Sequence, residues 1–293
     1  MAIFAKEAYA TGASVVTLLS IRFLLAAALF WVIVAARGAQ LPSRRVIIIS
    51  LGLGAIGYAA QAGLFFGALT RIDASLTSLL LYLYPVLVFA GAVAMGRERV
   101  TARRIGALAL ASLGAALVLL SGSLGALDGA GVAMALGAAV VYATYILVAD
   151  RIVGAVDAFM MAALVTTGAA ASTLAVGAGS GSIDLSFGAA GWGWIAAMAL
   201  GSTVLGVSAF FVGLREVGPA TASIVSTAEP VVTVALATVI YSEALGAGQL
   251  AGGVLVLGAV VILQLRAGTV SSDVASDHAP AVAPARALAH EPA

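Results

Sequence analysis

Charge is missing from long stretches of this chain. Residues 46 to 70, 74 to 96, 105 to 127, 129 to 149, 158 to 183, 185 to 214 and 244 to 265 contain no Asp, Glu, Lys or Arg, and two further runs, 8 to 36 and 217 to 242, contain one each, Arg22 and Glu229. A backbone surrounded by hydrocarbon must satisfy its own N–H and C=O groups, so apolar runs of roughly 20 residues become spanning helices. The other spanning solution, a β-barrel, alternates apolar and polar residues over about ten positions. These runs do not alternate, and LALASLGAALVLL, with small residues scattered along it, has the texture of packed transmembrane helices. Nine complete spans are predicted, preceded by a stub from Met1 to about Tyr9, in an all-α polytopic membrane protein.

Composition excludes the soluble alternatives. The 293 residues are 62% hydrophobic and 9% charged, too little polarity to cover a water-soluble globule. The net charge of +1 gives no basic face that could neutralise a run of phosphates, so nucleic acid is not a partner. Cys is absent, which removes disulfides and thiolate sites, and the two histidines, His278 and His290, lie in the last stretch. That stretch, residues 267–293, is rich in Ala, Pro, Ser and Asp without an apolar period and is predicted to be a disordered tail. No metal site and no cofactor is implied.

Basic residues set the expected orientation. Arg37, Arg44 and Arg45 share one loop and Arg97, Arg99, Arg103 and Arg104 another, which places both loops in the cytoplasm. Counting spans puts Arg151, Arg215, Arg266 and the tail on the same side, against only Lys6 and Arg71 opposite.

The chain also repeats itself. An offset of 145 residues aligns Phe65, Phe66, Leu69, Ser78, Pro85, Val86, Ala90, Ala92 and Glu98 with Phe210, Phe211, Leu214, Ser223, Pro230, Val231, Ala235, Ala237 and Glu243, 9 identities in 34 gap-free positions. Alanine matches by chance, so the Phe pair, the Pro and the Glu carry the weight. A complete unit has five spans, an odd number, so the second copy enters the membrane from the opposite side. Inverted repeats are a transporter architecture with the substrate site near the midplane. The same offset pairs Met1 with Ile146, late in its run, so the first copy is expected to lack about 17 residues of its opening helix and the chain to continue upstream.

These residues carry a resemblance. Tyr84-Pro85 and Glu229-Pro230, each followed 13 residues after the Pro by Glu98 and Glu243, together with Leu18-Leu19-Ser20-Ile21-Arg22-Phe23, resemble the EamA family of the drug/metabolite transporter (DMT) superfamily over about residues 1 to 266. The resemblance implies ten helices in two inverted five-helix units, residues 1–121 (the first helix truncated) and 122–266. It also implies a carrier of the cytoplasmic (inner) membrane, often exporting amino acids or other small metabolites.

Gly52-Leu53-Gly54-Ala55-Ile56-Gly57 spells a dinucleotide fingerprint, but the helix after it has no charged face, so close helix packing is the better reading. Gly63 and Gly67, and Gly248 and Gly252, fit the same packing rule.

Glu229 is the most informative position. An ionised carboxylate in mid-span costs several kcal/mol unless paired, wet or protonated. It adjoins Pro230, which frees a carbonyl and loosens the helix, and shares a stripe with Ser226 and Thr233. Two readings stand: a substrate or proton role, and a structural hydrogen bond to a neighbouring helix. Arg22 lies about eight residues into its span, about 12 Å along the axis, from where a long side chain snorkels to the interface or meets Glu7; a substrate role is the second reading. Ser75, Ser78, Tyr82 and Pro85 form one polar stripe, Tyr58, Gln61 and Phe65 another, and Tyr142 and Tyr145 a third. Each alone is helix glue; with Glu229 they outline a cavity. The expected substrate site is therefore Glu229, Tyr82, Tyr84, Tyr142, Tyr145, Gln61 and Arg22, with Pro85 and Pro230 as points of helix deformation; Glu98 and Glu243 are expected to be loop anchors. The partners are a small-molecule substrate and the bilayer. An importer or a lipid or drug carrier of the same fold, a channel and a purely structural membrane protein are the competing readings; an intramembrane enzyme would need a second acid or a Ser/His set beside Glu229.

Overall fold

The computed structural model describes residues 1–96, 101–120, 128–149, 151–152, 156–206, 208, 228–242 and 245–264. Its helices follow the apolar runs one for one: α1 (Ala2–Ala10), α2 (Val15–Ala36), α3 (Arg44–Ala68), α4 (Ala74–Ala94), α5 (Ala102–Leu120), α6 (Gly129–Ala149), α7 (Ala158–Ser180), α8 (Ala189–Leu205), α9 (Ala228–Tyr241) and α10 (Ala247–Gln264). Among the described residues there is no strand. Five helices, α2, α3, α4, α6 and α7, are 21 to 25 residues long and apolar enough to cross a membrane. Leu24, Val32, Ile56, Val140, Val176 and Val239 stand exposed on the outside of the bundle, as a lipid-facing perimeter requires.

Local chemistry sets the ends. Thr17 N–H donates to Ser14 Oγ at the start of α2, and Phe159 and Met160 N–H donate to Asp157 Oδ1 at the start of α7. Gly181, left-handed at φ 63°, closes α7, and Ser182 N–H returns to the Gly177 carbonyl. Inside the bundle, Thr166 and Thr173 spend their hydroxyls on carbonyls one turn earlier, so these buried polar groups need no outside partner.

Three helix pairs that the 145-residue offset relates, α2 with α7, α4 with α9 and α5 with α10, pack against each other. Glycine permits the closest approaches. A Cβ at Gly54 of α3 would collide with the Val165 carbonyl oxygen of α7, and one at Gly168 of α7 would collide with the Leu51 carbonyl oxygen of α3. In α5, a Cβ at Gly114 would come within 2.7 Å of the Gly252 carbonyl oxygen of α10. Of the fingerprint glycines of α3, Gly54 and Gly57 are thus packing residues, with no strand before them, whereas Gly52 faces open space; Gly67 packs on Met134, but Gly63, expected to pack as well, does not.

Two helices carry a wider turn. In α3 residues Leu53–Tyr58, and in α8 residues Met198–Leu205, form π-helix. The offset that relates the repeats carries Leu53 onto Met198 and Tyr58 onto Thr203, so both copies slip at the same place. An inserted residue of this kind re-aims the side chains that follow it and recurs at functional sites. Helix α4 is interrupted instead: its first part ends at Leu81, and its second begins at Tyr84 with Pro85 in the first turn.

Candidate functional site

Arg22 is placed differently from the expectation that it snorkels or meets Glu7. It is 1% exposed, the only charged side chain in the buried interior among the described residues. Glu7 is taken by the Tyr241 hydroxyl, which donates to it at 2.8 Å. The guanidinium instead donates from Nε to Thr203 Oγ1 at 2.9 Å and from Nη2 to the Tyr58 hydroxyl at 3.0 Å. Phe23, Phe66 and Tyr58 present their rings to it at 5.0, 5.2 and 6.0 Å. Aromatic faces and two neutral acceptors make the burial of the cation tolerable without an ion pair. The two acceptors come from the two π-helical turns; the Thr203 hydroxyl in turn donates to the Met198 carbonyl five residues back, an acceptor that the π pattern leaves within reach.

From Tyr58 a line of tyrosines runs through the bundle. Its ring centroid lies 6.2 Å from that of Tyr145, Tyr145 lies 6.1 Å from Tyr142, Tyr142 lies 4.5 Å from Tyr84, and Tyr84 lies 5.7 Å from Tyr82. The Tyr82 hydroxyl then donates to Glu229 Oε2 at 3.0 Å. Helices α3, α6 and α4 each supply part of this wall, with Arg22 of α2 at one end and Glu229 of α9 at the other. Offset or tilted ring pairs at these separations form a rigid amphipathic surface in which each ring keeps a polar tip.

Glu229, in the first turn of α9, is exposed on one side to a cavity of about 490 Å³ that it shares with Phe4, Trp194 and Thr233. Thr233, one turn on, is buried, as the predicted stripe requires; Ser226 lies outside the described residues. A second hollow, of about 370 Å³, runs along α2 and α7 among Leu24, Trp31 and Leu174 and holds no charged group. The carboxylate is thus both paired with a phenol and accessible, which lets it meet a cation or a proton without leaving its anchor.

The structure brings together Arg22, Tyr82, Tyr84, Tyr142, Tyr145 and Glu229 in one continuous line. Gln61 is buried on α3 one turn beyond Tyr58, but among the described residues no hydrogen bond joins it to the tyrosines. Pro85 stands just after the interruption of α4, and Pro230 follows Glu229 in the first turn of α9. Glu98, Glu243, Arg97, Arg99, Arg215, Arg266, Phe210, Phe211, Leu214, Ser223 and the tail with His278 and His290 lie outside the described residues. Two contributors carry no mark in the apolar pattern. Tyr58 reads only as part of a stripe with Gln61, and Thr203 reads as one more polar residue in a span; the repeat offset, which superposes them, is the signal that singles them out.

The fold has a counterpart among solved proteins: a crystal structure matches with a TM-score of 0.62 over 92% of this chain and 94% of the other, at 20% identity. No curated protein matches the chain. The EamA-like transporter family matches residues 1–120 and again residues 129–265. Two copies of that unit, built of apolar helices in the described residues, make this a multi-pass membrane transporter of the DMT type, and the chain belongs to the EamA-like transporter family.

Proposed function

We propose that the protein is a secondary carrier that exports amino acids or other small metabolites by alternating access, with Glu229 receiving the ammonium or other cationic group of its cargo. The observation that carries this reading is the hydrogen bond from Tyr82 to Glu229, which anchors an accessible carboxylate between α4 and α9, helices that the repeat relates. Tyr82, Tyr84, Tyr142 and Tyr145 form the wall along which the rest of the cargo lies, and Arg22 ends that wall. Gln61 supplies a polar group from α3. Two inverted units, residues 1–121 and 122–266, rock against each other about this line, with Pro85 and Pro230 marking where the helices of each unit deform. The arginine-rich loops and the C-terminus face the cytoplasm, in the inner membrane.

The test compares cells expressing the wild type and Glu229→Gln at matched membrane levels and measures the metabolites that accumulate outside. The wild type alone should enrich a few amine-bearing compounds. Equal enrichment by both proteins overturns the role of Glu229; no enrichment by either overturns export.

A further inference from the structure

The hydrogen bonding of Arg22 is incomplete. Nε and Nη2 are used, but Nη1, which is buried, has no hydrogen-bond partner. No described carboxylate forms an ion pair with it. A buried charged donor without an acceptor is costly, and a brace between α2, α3 and α8 would not need one: a neutral amide could reach two hydroxyls without bringing a charge. What a guanidinium adds is a permanent charge and a planar fork that matches an oxyanion in two places at once.

The acceptor on Nη2, the Tyr58 hydroxyl, is neutral and sits on a π-helical turn. An ionised oxygen pair at the Nη1–Nη2 edge adds an ion pair and a second hydrogen bond to a fork that now has one neutral acceptor, so it outcompetes the phenol. The phenol it displaces is the first ring of the wall that ends at Glu229.

We propose that Arg22 is an anion subsite that binds a carboxylate of the carried molecule through Nη1 and Nη2, displacing the Tyr58 hydroxyl and so releasing α3 from α2 when cargo is bound. This deepens, and rests on, the reading of the chain as a carrier of molecules that bear both an amine and a carboxylate. The two groups of an α-amino acid share one carbon, so such a cargo meets Glu229 and Arg22 in turn, at the two ends of the tyrosine wall, rather than both at once. Displacement of Tyr58 couples occupancy to a shift of α3 at its π-helical turn, a feature that recurs at functional sites.

The experiment uses the purified full chain in detergent and follows thermal unfolding with two probes: an equimolar mixture of the proteinogenic amino acids other than Asp and Glu, and the same mixture as carboxamides, which keep the amine but lose the carboxylate. The acids should bind wild type at least about tenfold more tightly than the amides, the preference expected of charged over neutral hydrogen bonding. Arg22→Lys, a point charge without the fork, should lose most of that preference. Tyr58→Phe removes the competing acceptor and should tighten acid binding while leaving amide binding unchanged, which a brace at Arg22 would not do. Acids and amides binding equally, with both responses lost in Glu229→Gln, overturn the Arg22 subsite and leave the Glu229 reading intact. A response to neither mixture overturns both. Should Arg22→Lys fail to fold, Tyr58→Phe decides alone, since unchanged or weaker acid binding refutes the displacement.

Discussion

Tyr58 and Thr203 stand 145 residues apart, the spacing of the two repeats, and converge on one guanidinium. Each lies in a π-helical turn, and each offers a neutral hydroxyl to Arg22. Helix α2 is therefore tied symmetrically to α3 of its own repeat and to α8 of the other by a single side chain. The position that the offset relates to Arg22 is Thr167 of α7, a neutral residue bonded to Trp31. Duplication has left one charged centre where strict symmetry would have put two, which avoids two buried cations facing each other.

The bond from Tyr82 to Glu229 should be measurable as a coupling. Tyr82→Phe, Glu229→Ala and the double variant, unfolded in detergent, should give a coupling of about 1 kcal/mol, the usual worth of one hydrogen bond to a charged group that is open to water on its other side. A coupling near zero would mean that the carboxylate is not held by Tyr82.

Backbone contact between α3 and α7 predicts a sharp contrast among glycines. Gly54→Ala and Gly168→Ala each drive a methyl into a carbonyl of the facing helix and should destabilise the protein by about 1–3 kcal/mol. Gly63→Ala, in the same helix α3 with nothing within 4 Å of the new methyl, should be neutral or stabilise by up to about 1 kcal/mol through helix propensity. Melting temperatures of the three variants in one detergent check the order.

The helices were legible because the bilayer allows few alternatives: every charge-free run contains one, and Asp128 and Asp157, the charges at the run ends, cap α6 and α7. Glu229 stands out as a carboxylate without an apolar reason to be there, and Tyr82, 147 residues away in the other repeat, is its partner. Arg22 did not read correctly. Its depth along α2 is compatible with snorkelling, and its actual acceptors lie 36 and 181 residues away on helices whose π slip leaves no trace in hydropathy. A periodicity describes which face is apolar; it does not describe a one-residue slip that turns Tyr58 and Thr203 onto a common cation.

Between α2 and α7 one polar contact is isolated enough to weigh. Trp31 Nε1–H donates to Thr167 Oγ1 at 2.9 Å, and the same hydroxyl donates to the Ala163 carbonyl at 2.7 Å. Thr167→Val leaves the indole N–H without its acceptor and should cost about 0.6 kcal/mol, at most about 1.7, the range of hydrogen bonds between helices in membranes. Trp31→Phe with Thr167→Val should cost no more than Trp31→Phe alone, a comparison that denaturant unfolding resolves.

Outside the membrane, Asp128 gives a prediction with a pH sign. Its Oδ1 accepts from Gly131 and Ala130 N–H at the start of α6, and its Oδ2 pairs with Arg71 at 2.9 Å across from the α3–α4 loop. Hydrogen bonds from the Gly131 backbone first, and from Arg71 next, hold its carboxyl below the ordinary Asp value of 3.8. A carboxylate favoured by the folded state contributes its stability in full above the unfolded pKa and loses it as pH falls through the lower folded one. Wild type and Asp128→Asn should therefore differ in melting temperature at neutral pH, start to converge only as the pH falls below 3.8, and meet once it has passed the lower folded value. Arg71→Gln should raise the Asp128 titration midpoint, followed by carboxyl carbon NMR, only part of the way back to 3.8, because the two backbone donors remain. A full return would assign the whole effect to the ion pair and remove the helix start from the account.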